Sequence, residues 1–284
     1  MIQLLGYTAL ALCGLGVLSA VVLYFVARKF KVYEDPRIDE VEKMLPGANC
    51  GGCGVPGCRA LADALVKNDD ISSLFCPVGG AATMMTIASY LGKRVEEQEP
   101  KVAVVLCNGS GEKCRKQNMF EGASSCAVIR ALYGGETGCS YGCFGKGDCV
   151  AVCSFDAIAM DEATGLPVVD QEKCTACSVC VKTCPNNIIR LYKKGRQGER
   201  IYIACSNKDR GGVARKACAA ACIACTKCQK VCAFEAVTIE NNLVLINEDK
   251  CHLCRKCAAE CPTGAIIETN LPPSEIIKPV AKAV

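Results

Sequence analysis

Cys222-Ile-Ala-Cys225-Thr-Lys-Cys228-Gln-Lys-Val-Cys232, followed by Cys251-His-Leu-Cys254-Arg-Lys-Cys257-Ala-Ala-Glu-Cys261-Pro262, is the stretch on which the fold turns. Each run spaces its cysteines C-x2-C-x2-C-x3-C, and thiols so placed suit chelation better than bridging. Around these runs stands a chain of 284 residues with 26 cysteines, one histidine and no tryptophan. In a short secreted chain such a count would mean a disulfide scaffold. Here the recurring spacing, the prolines after Cys76, Cys184 and Cys261, and a chain start that directs the rest toward a reducing compartment favour thiolate ligands of [4Fe–4S] clusters. The alternative is structural zinc held by four cysteines, which would leave the protein colourless and free of acid-labile sulfide.

The runs are duplicated. Cys139, Cys143, Cys149 and Cys153 recur 79 residues later as Cys218, Cys222, Cys228 and Cys232, and Cys174, Cys177, Cys180 and Cys184 recur 77 later as Cys251, Cys254, Cys257 and Cys261. Each half looks like a bacterial-type two-cluster ferredoxin, in which the fourth cysteine of a run ligates the other cluster. The second repeat then offers two complete sets, Cys222/Cys225/Cys228/Cys261 and Cys251/Cys254/Cys257/Cys232. The first offers Cys174/Cys177/Cys180/Cys153 and an incomplete set, Cys143/Cys149/Cys184, with Lys146 where the second repeat has Cys225. Cys139 is the nearest candidate for the missing thiol, while a three-ligand site or a lost cluster stays open. Ala236-Val237 and Ala265-Ile266-Ile267 should pack against the clusters and exclude water.

Upstream lies Leu45-Pro-Gly-Ala-Asn-Cys50-Gly-Gly-Cys53-Gly-Val-Pro-Gly-Cys58, with Cys76 completing a C-x2-C-x4-C-x17-C set. Four thiolates suit one more [4Fe–4S] cluster, and the glycines let backbone wrap it and donate to its sulfides. Residues 59–67 are predicted as a helix behind the loop. Before this module, Leu4 to Val26 carries no charge and is long enough to reach across a bilayer core of about 30 Å. Arg28, Lys29 and Lys31 follow the apolar run, opposite to the order in a signal peptide, and by the positive-inside rule put the soluble part in the cytoplasm. Cys13, mid-span, is read as a small apolar residue.

One N-terminal span, an L-P-G-A-N-C-G-G-C-G-x-P-G-C box and two ferredoxin repeats together resemble the B subunit of the Rnf complex. The resemblance covers essentially the whole chain and is most specific at Leu45–Cys58. It implies an electron-input subunit of an ion-translocating ferredoxin:NAD oxidoreductase, with no stand-alone active site. Single electrons would come from reduced ferredoxin and pass to other subunits of a membrane redox complex. A membrane-tethered polyferredoxin serving another enzyme, such as a hydrogenase, is the alternative.

The expected architecture is α+β: a transmembrane anchor (1–27), a four-cysteine cluster domain (33–95), two ferredoxin-like repeats (100–192 and 198–270) and a flexible tail (271–284). About five [4Fe–4S] clusters are expected, on a single-pass protein of the inner (cytoplasmic) membrane. Cys107, Cys114, Cys126, Cys205 and Cys218 remain over. They are read as buried structural thiols, an additional cluster on Cys107, Cys114 and Cys126 being the sharper option. Cys107 and Cys205 each end an apolar stretch predicted as a β-strand. Basic residues gather at Lys193, Lys194, Arg196 and Arg200 and again at Lys208, Arg210, Arg215 and Lys216; they are solvated loops or a steering face for an acidic ferredoxin. A net charge of +4 gives no cause to expect nucleic acid, a lone His252 argues against histidine catalysis, and no glycine-rich nucleotide loop is present.

Overall fold

The computed structural model describes residues 2–29, 34–94, 99–132, 134–195 and 197–272. Lys31, Arg196 and nearly all of the expected tail lie outside them. Helix α1 runs Ile2–Lys29, about 42 Å at 1.5 Å per residue. Leu12, Leu15, Leu18, Leu23 and Phe25 are exposed along it. Counting described residues alone, no helix is long and apolar enough to cross a membrane, and the side chains of α1 are described only in part.

Three helices follow: α2 (Pro36–Met44), α3 (Cys58–Lys67) and α4 (Gly80–Leu91). Asp35 caps α2 by accepting from the Arg37 N–H, and Pro36 occupies the first turn, where a missing N–H costs nothing. Helix α3 begins at Cys58, one residue before the predicted start, and buries Cys58, Leu61, Ala62, Leu65 and Val66 on one stripe. That stripe meets Ile38 and Val41 of α2 and Met84 and Ile87 of α4 in a core that also encloses Cys76. Lys93 Nζ donates to the carbonyls of Leu65, Val66 and Asn68, satisfying the end of α3. Arg59 pairs with Glu34, Asp39 and Glu42, joining α3 to α2 at the surface, where such pairs contribute little.

The remainder is two copies of one small topology. The first copy comprises β1 (Lys101–Val105), α5 (Cys126–Leu132), α6 (Asp148–Ala151), β2 (Ile158–Met160), β3 (Pro167–Val169), α7 (Val179–Thr183) and β4 (Ile189–Lys193). The second comprises β5 (Arg200–Ile203), α8 (Gly211–Ala217), α9 (Lys227–Lys230), β6 (Val237–Glu240), β7 (Leu243–Ile246), α10 (Lys256–Ala259) and β8 (Ile266–Thr269). In each copy the first strand pairs antiparallel with the last and the inner two form a hairpin: β1–β4 and β2–β3, then β5–β8 and β6–β7. The strands predicted before Cys107 and Cys205 are β1 and β5, each ending two residues short of its cysteine.

One of the two basic clusters is not a free face. Arg200 is buried at 6% exposure, Lys193 pairs with Glu99 and Asp249, and Lys194 pairs with Glu172. Lys208, Arg210, Arg215 and Lys216, on or beside α8, are exposed.

Candidate iron–sulfur cluster sites

The cysteine loops share a backbone device. In Cys174–Cys180, Cys222–Cys228 and Cys251–Cys257, both residues flanking the middle cysteine are left-handed: Ala176 and Ser178, Ala224 and Thr226, Leu253 and Arg255. Non-glycine residues adopt that conformation at a cost, and held in pairs it wraps the loop so that three sulfurs face one interior. The Cys143–Cys149 loop keeps the device with Gly145 and Gly147 around Lys146, so the fold persists where the thiol is gone. Lys146 itself turns to Glu136, 2.9 Å away.

The thiol that the structure places with this incomplete set is Cys126, not Cys139. Cys126, Cys143, Cys149 and Cys184 line one cavity of about 380 Å³. Cys126 opens α5, and Asp148 anchors that helix start by accepting from Ser125 Oγ and the Ala127 N–H. Repeat 1 has 31 residues between Cys107 and Cys139, and repeat 2 has 12 between Cys205 and Cys218. The extra segment carries α5, so the copy that lacks the loop cysteine has an added helix supplying one. That coincidence was the available signal in the sequence.

The other predicted sets come together. Cys50, Cys53, Cys58 and Cys76 line a cavity of about 270 Å³, and Cys222, Cys225, Cys228 and Cys261 one of about 300 Å³. Burial pushes the Cys180 thiol up to about 12, reinforced by neighbouring Cys174, Cys177, Cys149 and Cys153. Cys257 is likewise pushed up to about 12 by burial, then by Cys251, Cys254, Cys228 and Cys232. Each of these two thiols thus has cysteines of the other run near it, Cys153 beside Cys180 and Cys232 beside Cys257. Among the described residues no three His, Cys, Asp or Glu side chains converge as they would on a single metal ion. Four thiols around a shared cavity suit a multi-iron core, in which each iron takes one cysteine sulfur. Backbone amides already point at sulfur: Gly79 to Cys76 at 3.3 Å, Ala157 to Cys153 at 3.4 Å, Gly145 to Cys143 at 3.4 Å and Ala103, in β1, to Cys174 at 3.5 Å.

Cys139 lines a further cavity, between the two repeats, with Cys107, Cys114, Cys143, Cys205 and Cys218. The trio Cys107, Cys114 and Cys126 is therefore divided between two cavities. Cys114 lies beside Cys218 on the wall between the repeats, and its Sγ donates to the Ala217 carbonyl at 3.4 Å.

The N-terminal unit meets repeat 1 closely. A Cβ at Gly52 would lie 2.8 Å from the carbonyl oxygen of Cys177 and 3.0 Å from its Cα. Glycine is what lets the Cys50–Cys58 loop approach the Cys174–Cys180 loop.

Family comparisons agree with these sites. An Fe-S cluster family model matches residues 45–77, the 4Fe-4S dicluster domain matches 138–188 and the 4Fe-4S binding domain matches 244–267. A relative in Acetobacterium woodii, the B subunit of its Na(+)-translocating ferredoxin:NAD(+) oxidoreductase complex, is 43% identical over 88% of this chain and 74% of its own length. The B subunit of the ion-translocating oxidoreductase complex of Methanosarcina acetivorans is 38% identical, covering 90% of this chain and 95% of its own. The chain belongs to this B-subunit family. The corresponding protein of Clostridium ljungdahlii, from a proton-translocating ferredoxin:NAD(+) oxidoreductase complex, is similar at 38% over 89% of this chain and 88% of its own. Like these relatives it is an iron–sulfur electron-transfer subunit of an oxidoreductase complex, carrying several [4Fe–4S] clusters.

Proposed function

We propose that the chain takes single electrons from reduced ferredoxin and relays them to partner subunits of an ion-translocating ferredoxin:NAD oxidoreductase complex. The observation that carries this reading is succession. Gly52 brings the N-terminal site against the Cys174 loop, Cys180 lies near Cys149 and Cys153, and Cys228 lies near Cys257. Bound at these cysteines, the clusters supply one-electron storage.

The ligand sets are Cys50/Cys53/Cys58/Cys76, Cys153/Cys174/Cys177/Cys180, Cys126/Cys143/Cys149/Cys184, Cys222/Cys225/Cys228/Cys261 and Cys232/Cys251/Cys254/Cys257. The chain's own groups hold the thiolates through amide donors and exclude water with Ala157, Ala236 and Ala265, all buried. Hydrogen bonds to sulfur and burial are what the protein contributes to the potentials. The division into a four-cysteine domain and two ferredoxin repeats follows these sets. Residues 1–27 form a single-pass anchor: α1 is continuous, its described apolar side chains are exposed, and Arg28 and Lys29 close it on the cytoplasmic side of the inner membrane. With no carboxylate within the apolar run, ion movement belongs to partner subunits. The relatives' names fit that division, since chains this similar serve complexes named for sodium and for protons.

Ferredoxin meets the α8 face. Lys208, Arg210 and Lys216 are exposed and, among the described residues, no ion pair engages them. Such a face steers an acidic carrier in a salt-dependent way. The test mixes reduced ferredoxin with the full chain in detergent and follows its oxidation in a stopped-flow cell. Oxidation that slows with added salt, and slows again in a Lys208→Glu/Lys216→Glu variant, is expected. Ferredoxin that stays reduced overturns the electron-input role; oxidation indifferent to both changes overturns the docking face.

A further inference from the structure

We propose that the cavity between the two repeats holds a sixth [4Fe–4S] cluster, ligated by Cys107 and Cys139 from the first and Cys205 and Cys218 from the second. This rests on the iron–sulfur reading above and adds a site to it.

The two repeats contribute equivalent pairs. Cys107 stands two residues past β1 and Cys205 two past β5, while Cys139 precedes Cys143 by four residues as Cys218 precedes Cys222. The hydrogen bonds repeat as well. The Cys143 N–H donates to Cys107 Sγ at 3.4 Å, and the Cys222 N–H donates to Cys205 Sγ at 3.3 Å. Cys205 Sγ also accepts the Asn207 N–H, at 3.4 Å. Backbone amides aimed at Cys107 and Cys205, one from each repeat across a shared space, are hydrogen-bonding surroundings that suit a cluster's thiolates. Buried Asn207 adds Nδ2 to Cys139 Sγ at 3.4 Å. Structural thiols in an apolar core have no need of such donors.

Cys114, also on this wall, stands outside the pairing, since repeat 2 has no cysteine between Cys205 and Cys218. It has a partner as a thiol, donating to the Ala217 carbonyl at 3.4 Å. Like the cavities lined by Cys126/Cys143/Cys149/Cys184, Cys222/Cys225/Cys228/Cys261 and Cys50/Cys53/Cys58/Cys76, this one gathers cysteines around one space. Its position supplies what the succession otherwise lacks. Cys143 lies on the walls of both this cavity and the Cys126 cavity, and on the other side Cys205 touches the Cys222 amide. An electron crossing here makes and breaks no bond: the cluster on one side is oxidised as that on the other is reduced.

The test uses the full chain, produced and loaded with iron and sulfide without oxygen. Iron and acid-labile sulfide should each number about 24 per chain, four for each of six clusters. A Cys107→Ala/Cys205→Ala variant should fall to about 20 and lose the magnetic interaction between the repeats in its reduced EPR spectrum, while Cys114→Ala stays at about 24. Wild-type chain at about 20, with the double variant unchanged, overturns the sixth site and leaves the five-cluster relay intact. About 24 in both overturns the ligand set. Iron near zero without sulfide fails the iron–sulfur reading itself.

Discussion

Replacing Gly52 by alanine probes the contact through which the N-terminal site reaches the first repeat. The new Cβ would sit 2.8 Å from the Cys177 carbonyl oxygen and 3.0 Å from the Cys177 Cα and Cβ, where ordinary contact begins at 3.4 Å. Every obstacle belongs to a cluster-binding loop, so either the N-terminal unit retreats by about 0.6 Å or that loop deforms. Overpacking of this kind costs about 1–3 kcal/mol. An opposing effect exists, because alanine restricts the unfolded chain and returns about 0.4–1 kcal/mol at a backbone position it tolerates. Gly52 is not among the residues with positive φ, so that gain is available. Global unfolding therefore sees only the difference between the two effects. Docking of the N-terminal unit on repeat 1 sees the whole penalty, roughly one to two powers of ten in its equilibrium constant. Magnetic dipolar coupling between two reduced clusters falls with the cube of their separation and reads that docking directly. The coupling between the N-terminal cluster and its neighbour should weaken in Gly52→Ala while total iron is unchanged. An unchanged coupling, accompanied by a raised unfolding midpoint, would refute the reasoning.

Further outcomes are expected. Cys126→Ala should remove about four irons per chain, measured with acid-labile sulfide. Adding Lys146→Cys to that variant should restore them, because Gly145 and Gly147 hold position 146 as Ala224 and Thr226 hold Cys225. Gly211→Ala should destabilise repeat 2, its Cβ meeting the Ile223 carbonyl at 2.5 Å, whereas neighbouring Gly212 faces open space and its alanine should stabilise α8 by about 0.5–1 kcal/mol, both read by chemical unfolding. Leu61→Ala, fully buried among the N-terminal helices, should cost about 2–5 kcal/mol in the same measurement.

Where ligands are close in sequence, the chemistry was legible: C-x2-C-x2-C-x3-C dictates a loop, and the loop dictates its cage. The duplication was legible too, because the 79- and 77-residue offsets expose the repeat. Cys126 was not. Its role depends on an inserted helix folding back over 17 residues to Cys143, a tertiary fact with no local pattern. Cys139, the nearest candidate by sequence, lines the cavity between the repeats, since sequence proximity to Cys143 is no guide to the direction its sulfur takes. Strands β1 and β5 were predicted from apolar runs alone, but not that each closes its repeat by pairing with the last strand. Arg200 shows the converse error, a charge counted with a surface cluster and found buried beside Gln171.

The pairing of first strand with last bears on how the protein is made. Repeat 1 opens with β1 at Lys101 and closes only when β4, ending at Lys193, has left the ribosome. At about 5–20 residues per second, some 90 residues take roughly 5–20 s. Through that interval the early thiols have neither their strand partner nor their full company of cysteines. Oxygen and stray metal ions compete for such thiols, so the delivery of iron and sulfide is best timed to the completed repeat.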